Sequence, residues 1–168
     1  ADFLIECGAK ITGAGTPTIV IKGGKLLTGK GRPYKTMPDR IDAGSFVILG
    51  ALAARELRVI NCEPKHLESL IETLRSAGVS VETKKTEIIV RAPLRLLPVD
   101  IKTHEYPGFP TDLQAPMTVL LTQADGESTV FETIFESRLN YTEALTSMGA
   151  RITMMNPQRA LVYGKSEL

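Results

Sequence analysis

The sequence has no tryptophan, only two histidines and two cysteines, and 5% aromatic residues among 168. Two cysteines, Cys7 and Cys62, cannot build a disulfide framework, and no CxxC or Cys/His spacing for a metal occurs. Both lie in apolar settings and are expected to be buried thiols in a reducing cytoplasm. The sequence contains no GxSxG motif, so a hydrolytic triad is unsupported. His66, beside Glu63 and Lys65, reads as solvated, and His104 falls in a His104–Pro110 loop after a strand. No charge sign dominates: 20 basic residues face 19 acidic ones, which gives no broad attraction to nucleic acid or membrane. No apolar run approaches the roughly 18 residues of a membrane span. Ala1-Asp2-Phe3-Leu4 lacks the basic flank of a signal peptide.

What is present is an apolar fraction of 43% and a mean hydropathy of +0.02, enough for a packed core and against disorder. The length is about one domain's worth. Within it one pattern recurs three times, with glycines Gly8, Gly78 and Gly149 at intervals of about 70 residues. Each copy reads as a helix end, a glycine where the chain needs positive φ, and a hairpin of two short strands. The strand pairs are 9–11 with 18–21, 79–81 with 87–90, and 150–152 with 159–163. Asn156-Pro157-Gln158 supplies the third hairpin's reversal.

The second and third copies also match upstream. Asp42 and Asp112 each precede an apolar helix, over 46–54 and 115–121, and each could cap it by accepting backbone N–H bonds. Neither helix has a polar face, so both are expected to be buried on nearly all sides. Pro116 falls in a first turn, where its missing N–H costs little. A strand follows each helix, over 57–61 and 128–134. Amphipathic helices come next, with Leu67, Leu70, Ile71 and Leu74 on one face, and Tyr141, Leu145 and Met148 on the other copy's face. With a lead strand near 99–103, one unit reads β-α-β-α-β-β. The first copy lacks its front half, which is expected if the chain is a segment of a longer one. The organisation expected is a truncated unit over 1–22, a Gly/Lys/Pro-rich linker over 23–37, and complete units over 38–98 and 99–168.

Two motifs are chemically suggestive. Gly24 to Lys30 has GxxxxGK spacing, but Gly31 replaces the magnesium-binding Ser/Thr and Arg32-Pro33 opposes the helix that should follow. A flexible linker is the better reading. Phe109-Pro110-Thr111-Asp112-Leu113-Gln114-Ala115 has two readings, which remain open: Asp112 as a simple cap, or as a carboxylate at a loop-to-helix junction acting as general base on a hydroxyl.

Those residues, with Pro38–Gly44 (PDRIDAG), Val130–Arg138 (VFETIFESR), CGAKITGAGT and SMGARI, resemble the UDP-N-acetylglucosamine 1-carboxyvinyltransferases, a branch of the enolpyruvyl transferases. The resemblance runs over essentially the whole chain. It implies an α/β (α+β) fold of repeated β-α-β-α-β-β units, an inside-out α/β barrel or prism with buried helices and sheets outside. It implies transfer of the enolpyruvyl group of phosphoenolpyruvate to the 3-hydroxyl of UDP-N-acetylglucosamine, the first committed step of peptidoglycan synthesis, in the cytoplasm. It makes Asp112 the base and a sugar contact, gives Ile134 a main-chain contact to the UDP-sugar, and places Phe135 and Arg138 against the ligand. Asp39, Arg40 and Glu136 rank second, as cleft charges or salt-bridge partners. No metal, cofactor, nucleic acid or membrane is implied. The family's Lys-Asn pair, phosphate-holding arginines and reactive-cysteine loop have no match in these residues, so the 168 residues alone are expected to be inactive, and exposed Phe3, Leu4 and Ile5 to favour self-association. Two alternatives are a 3-phosphoshikimate 1-carboxyvinyltransferase and a non-catalytic module of the same fold, as in RNA 3′-phosphate cyclases.

Overall fold

The computed structural model describes all residues except Lys30 and Arg32, and divides the chain between Met37 and Pro38 into two compact units. The first unit holds α1 (Asp2–Glu6) and an antiparallel hairpin of β1 (Lys10–Thr12) and β2 (Val20–Lys22), with Ile11 opposite Ile21. Ile11 is buried, whereas Phe3, Leu4, Ile5 and Ile21 are exposed. Phe3 meets Tyr34 edge to face at 5.1 Å. Gly23 to Gly29 form neither helix nor strand, and Lys30, which would complete the GxxxxGK spacing, lies with Arg32 outside the described residues.

The second unit begins with α2 (Arg40–Ala53), β3 (Leu57–Ile60), a 3-10 turn (Pro64–Leu67), α3 (Glu68–Ser76), β4 (Ser80–Thr83) and β5 (Glu87–Arg91). It continues with β6 (Ile101–Lys102), a 3-10 turn (Thr111–Leu113), α4 (Gln114–Leu121), β7 (Glu127–Phe131), α5 (Tyr141–Ser147), β8 (Arg151–Asn156) and β9 (Arg159–Tyr163). One sheet runs β3-β5-β4, all antiparallel; the other runs β6-β7-β9-β8, with β6 parallel to β7. Residues 99–168 therefore carry the full β-α-β-α-β-β succession. Residues 38–98 carry it without a lead strand. The sheets stay separate and open; no closed barrel forms among the described residues.

The repeat glycines behave alike. Gly8, Gly78 and Gly149 have φ of +103°, +87° and +114°. Behind each, the same two backbone bonds close the helix: Gly8 N–H to Ile5 O and Ala9 N–H to Leu4 O, Gly78 to Arg75 and Val79 to Leu74, Gly149 to Thr146 and Ala150 to Leu145. This is a Schellman stop, which satisfies orphan carbonyls through one left-handed residue. Pro116 sits in the first turn of α4.

In the second unit the core sits between the two sheets. Helix α2 packs on β3 and β5, α4 packs on β7 and β9, and the two helices pack on each other. Val47, Ile48, Ile88, Val90, Leu113, Met117, Leu120, Val130 and Val162 are among the buried cluster. Each such leucine or isoleucine contributes about 1.5–3 kcal/mol by leaving water. Leu67, at the end of the 3-10 turn, and Leu70, Ile71 and Leu74 on α3 are all buried.

Other sequence expectations also need correction. Asp42 does not cap α2; Asp39 does, its Oδ1 accepting the N–H groups of Ile41 (2.7 Å) and Asp42 (3.3 Å). A cap must precede the amides that it serves and hold an extended backbone, and Asp39 does so at ψ 113°. Asp112 caps nothing, because the 3-10 turn begins after Pro110 and has already carried residue 112 into the helical run. Helix α2 is not buried all round: Phe46 and Leu49 are about half exposed, on the stripe that includes Asp42 and Ala53. Met148, just past the end of α5, is 60% exposed, and Thr142 on the helix is buried instead. Cys62 is buried but Cys7 is only half-buried.

Candidate active site

The site grows from three neighbouring pieces of the second unit: the 3-10 turn at Thr111–Leu113, the loop after β7, and the start of α2. Gly44 lets the first and third approach; a Cβ there would lie 2.6 Å from Leu113 Cδ1. Pro110, extended at φ −68° and ψ 131°, delivers the chain to the turn. Leu113 is buried and anchors it, while Asp112 points outward with its side chain 52% exposed. The Asp112 carboxylate accepts a hydrogen bond from Arg138 Nη2 across the gap to the β7 loop. The Arg138 guanidinium also lies over the Phe135 ring, 5.0 Å from its centroid. Phe135 itself is half exposed, so its ring offers an apolar surface beside the charged pair.

Strand β7 ends at Phe131, not at residue 134, and the reason is Glu132. This carboxyl is fully buried and accepts five hydrogen bonds. Oε1 takes Thr103 Oγ1 (2.9 Å) and the backbone N–H groups of Ile134 (2.8 Å) and Phe135 (3.1 Å). Oε2 takes Thr111 Oγ1 (2.7 Å) and Gln114 Nε2 (2.9 Å). Capture of the two amides turns the chain out of the sheet. Burial pushes the carboxyl's pKa up, but donation from Thr111, Ile134, Phe135 and Thr103 outweighs it and holds the group below the usual 4.5. Gln114 in turn accepts from the Tyr141 hydroxyl (2.7 Å), which also meets Thr118 Oγ1 at 2.8 Å. Burial pushes the Tyr141 phenol up to about 12, against the Thr118 hydrogen bond and with the Glu132 charge.

The structure thus brings Asp112, Arg138 and Phe135 into one connected group, with Ile134 held just before them. Arg40 stands apart from that group: its guanidinium lies 5.7 Å from the Tyr106 ring centroid, with Nη1 buried and unpartnered among the described residues. Asp39 is committed to capping. Glu136 is exposed and lines a separate hollow with Ser137, Pro157 and Gln158. Glu132 had escaped the sequence reading, yet a signal existed. Ser128, Val130 and Glu132 alternate onto the same buried face, and a carboxylate there must be partnered. Among the described residues no His/Cys/Asp/Glu group could hold a metal ion, and no helix is long and apolar enough to cross a membrane.

The family model of EPSP synthase (3-phosphoshikimate 1-carboxyvinyltransferase) matches residues 1–165. UDP-N-acetylglucosamine 1-carboxyvinyltransferase of Koribacter versatilis is 44% identical over 168 residues, covering all of this chain and 38% of the relative. UDP-N-acetylglucosamine 1-carboxyvinyltransferase 2 of Bacillus subtilis is 46% identical over 169 residues, again all of this chain and 39% of the relative. The protein of the first name from Desulfofundulus thermocisternus is 46% identical over 168 residues, and 68% of it is covered. The chain therefore spans about two fifths of the first two relatives' length. Among solved structures, the enolpyruvyl transferase NikO from Streptomyces tendae superposes with a TM-score of 0.81 at 24% identity, over 97% of this chain and 39% of that one. EPSP synthase from Acinetobacter baumannii gives 0.54 at 18% identity, over 79% and 32%. The chain belongs to the enolpyruvyl transferase family, and within it to the UDP-N-acetylglucosamine 1-carboxyvinyltransferases.

Proposed function

We propose that this chain supplies the sugar-nucleotide side of an active site that transfers the enolpyruvyl group of phosphoenolpyruvate to the 3-hydroxyl of UDP-N-acetylglucosamine. The observation that carries the reading is the state of Asp112. Its carboxylate is exposed, sits on a turn anchored by buried Leu113, and is not spent on a helix cap. A general base needs that freedom together with fixed placement.

In this reading Asp112 takes the proton of the 3-hydroxyl as the oxygen adds to C2 of phosphoenolpyruvate. The tetrahedral adduct then loses phosphate. The Asp112–Arg138 pair is exposed on both sides, so opening it for a ligand costs only about 0–1 kcal/mol. The Ile134 N–H is committed to Glu132, so a main-chain contact to the sugar nucleotide runs through the Ile134 carbonyl, which accepts from the ligand. Phe135 offers its half-exposed face to the ligand. Arg40 is the second-rank cation, and its unpartnered Nη1 supports a place beside an anionic group. Asp39 and Glu136 are the weakest members, one being used as a cap and the other facing another hollow.

The wider setting belongs to the same proposal: cytoplasmic peptidoglycan synthesis at its first committed step. Association through residues 1–22 is supported by exposed Phe3, Leu4 and Ile5. Calorimetric titration tests the substrate. UDP-N-acetylglucosamine should bind, and shikimate 3-phosphate should not; the reverse order would favour the shikimate enzyme's chemistry. A phosphate-release assay on the 168 residues alone should show no turnover. Turnover that depends on Asp112 would contradict the expectation that the phosphate clamp lies outside them.

A further inference from the structure

We propose that Glu132 is the positioning residue of this site: its buried carboxylate fixes the Ile134–Arg138 loop at a set distance from the Asp112 turn. The idea rests on the functional reading above for its consequence, but its geometry stands by itself. Glu132 is the point where four pieces of chain meet. Thr103 comes from the end of β6, Thr111 from the turn before α4, Gln114 from α4 itself, and the Ile134 and Phe135 amides from the loop.

Thr111 is the neighbour of Asp112, and Phe135 carries Arg138 over its ring. One carboxylate thus holds the base's turn and the opposing loop through separate oxygens. Thr103 and Thr133 add two further bonds, Thr133 N–H to Thr103 Oγ1 at 2.9 Å and Thr133 Oγ1 to Thr103 O at 2.5 Å, so the loop's exit from the sheet is fixed at its root. Five donors from four pieces of chain converge on one anion. A neutral side chain can replace it only if the donors around it rearrange.

Glutamine at this position makes that explicit. Its oxygen can serve Thr103 and the two amides, but its NH₂ faces the Gln114 NH₂, and the Thr111 hydroxyl must turn from donor to acceptor. Flipping Gln114 to meet it loses the Tyr141 donation to its oxygen, so the Tyr141 hydroxyl must turn to accept from the flipped NH₂ and donate to Thr118 Oγ1 instead. Exchanging the two groups avoids that rearrangement: with Glu132→Gln and Gln114→Glu together, the carboxylate at 114 accepts from both the new amide and Tyr141.

The test is nuclear magnetic resonance of the 168-residue chain, without and with UDP-N-acetylglucosamine. In the unmutated protein the Ile134 and Phe135 amide protons should shift together in one acid titration below pH 4.5, which needs no variant to fold. The other charged groups on these elements are Lys102, Asp112, Glu136 and Arg138, of which the two carboxyls are removed by Asp112→Asn and Glu136→Gln; Tyr141, on α5 behind Gln114, has its phenol pushed up to about 12. Glu132→Gln should abolish that shared titration, speed exchange of both amides about 10-fold or more, and weaken sugar-nucleotide binding about 10-fold. The double exchange should restore most of the binding. Amides that keep their titration in Glu132→Gln, or a loss of melting temperature with amides and binding unchanged, would overturn the proposal. So would unaltered binding beside displaced amides. Absence of UDP-N-acetylglucosamine binding by the unmutated chain would instead refute the functional reading, and the ligand-free titration would still decide the role of Glu132.

Discussion

Gly44 on α2 and Leu113 at the end of the Asp112 turn approach so closely that a methyl group on residue 44 would sit 2.6 Å from the leucine Cδ1 and 3.2 Å from Cδ2. The glycine is therefore a spacing device between the two helix starts. Gly44→Ala should cost about 1–3 kcal/mol, since a close-packed interior has no room to accept a methyl. Urea unfolding measures this, and the resonances of Leu113 and Asp112 should move in the same variant.

Capping distinguishes two aspartates that look equivalent in the sequence. Asp39→Ala should lose about 0.5–2 kcal/mol with its two accepted N–H bonds. Asp42→Ala removes only a charge near the helix start and should cost about 0.3 kcal/mol. Thermal melts of both variants, run side by side, check the order.

Gly78 has φ +87° and Schellman bonds at 2.9 and 3.0 Å behind it. A Cβ there meets no atom closer than 3.4 Å, so Gly78→Ala isolates the cost of a left-handed backbone, about 1–2 kcal/mol. Gly149→Ala should cost more, because its Cβ would lie 2.2 Å from Glu167 O. Denaturant midpoints give the comparison.

Acid should destabilise the second unit through Glu132. Its folded pKa lies below the usual 4.5, so its contribution is complete above that value and is lost as pH falls through the lower folded value. The stability gap between the unmutated protein and Glu132→Gln should therefore be widest near neutrality and close on acidification. Urea midpoints from pH 7 down to about 3 report the gap, and a gap independent of pH would contradict an ionised Glu132.

Much of this architecture was legible because the sequence repeats it. Gly8, Gly78 and Gly149 marked three helix ends and their hairpins, since a left-handed stop and a strand alternation are both local. The caps were misread because Asp39 and Asp42 differ only in which amides each carboxylate can reach. The exposed stripe at Phe46 and Leu49 was invisible, because apolar composition says nothing about which neighbours are supplied. At the site, Asp112, Ile134, Phe135 and Arg138 came through resemblance, and the structure adds how they are held. Glu132 lies within VFETIFESR, and strand alternation marks it as buried, but its partners Thr103, Thr111 and Gln114 converge from other elements, which no local pattern encodes.

The central claim is that the Asp112 carboxylate receives the 3-hydroxyl of the sugar. Calorimetric titration of UDP-N-acetylglucosamine and its 3-deoxy analogue, against the unmutated chain and Asp112→Ala, tests it most directly. The unmutated protein should prefer the natural sugar by about 10-fold or more, the worth of one hydrogen bond to a charged group, and Asp112→Ala should bind the two alike. An Asp112→Ala variant that keeps the full preference would contradict the account.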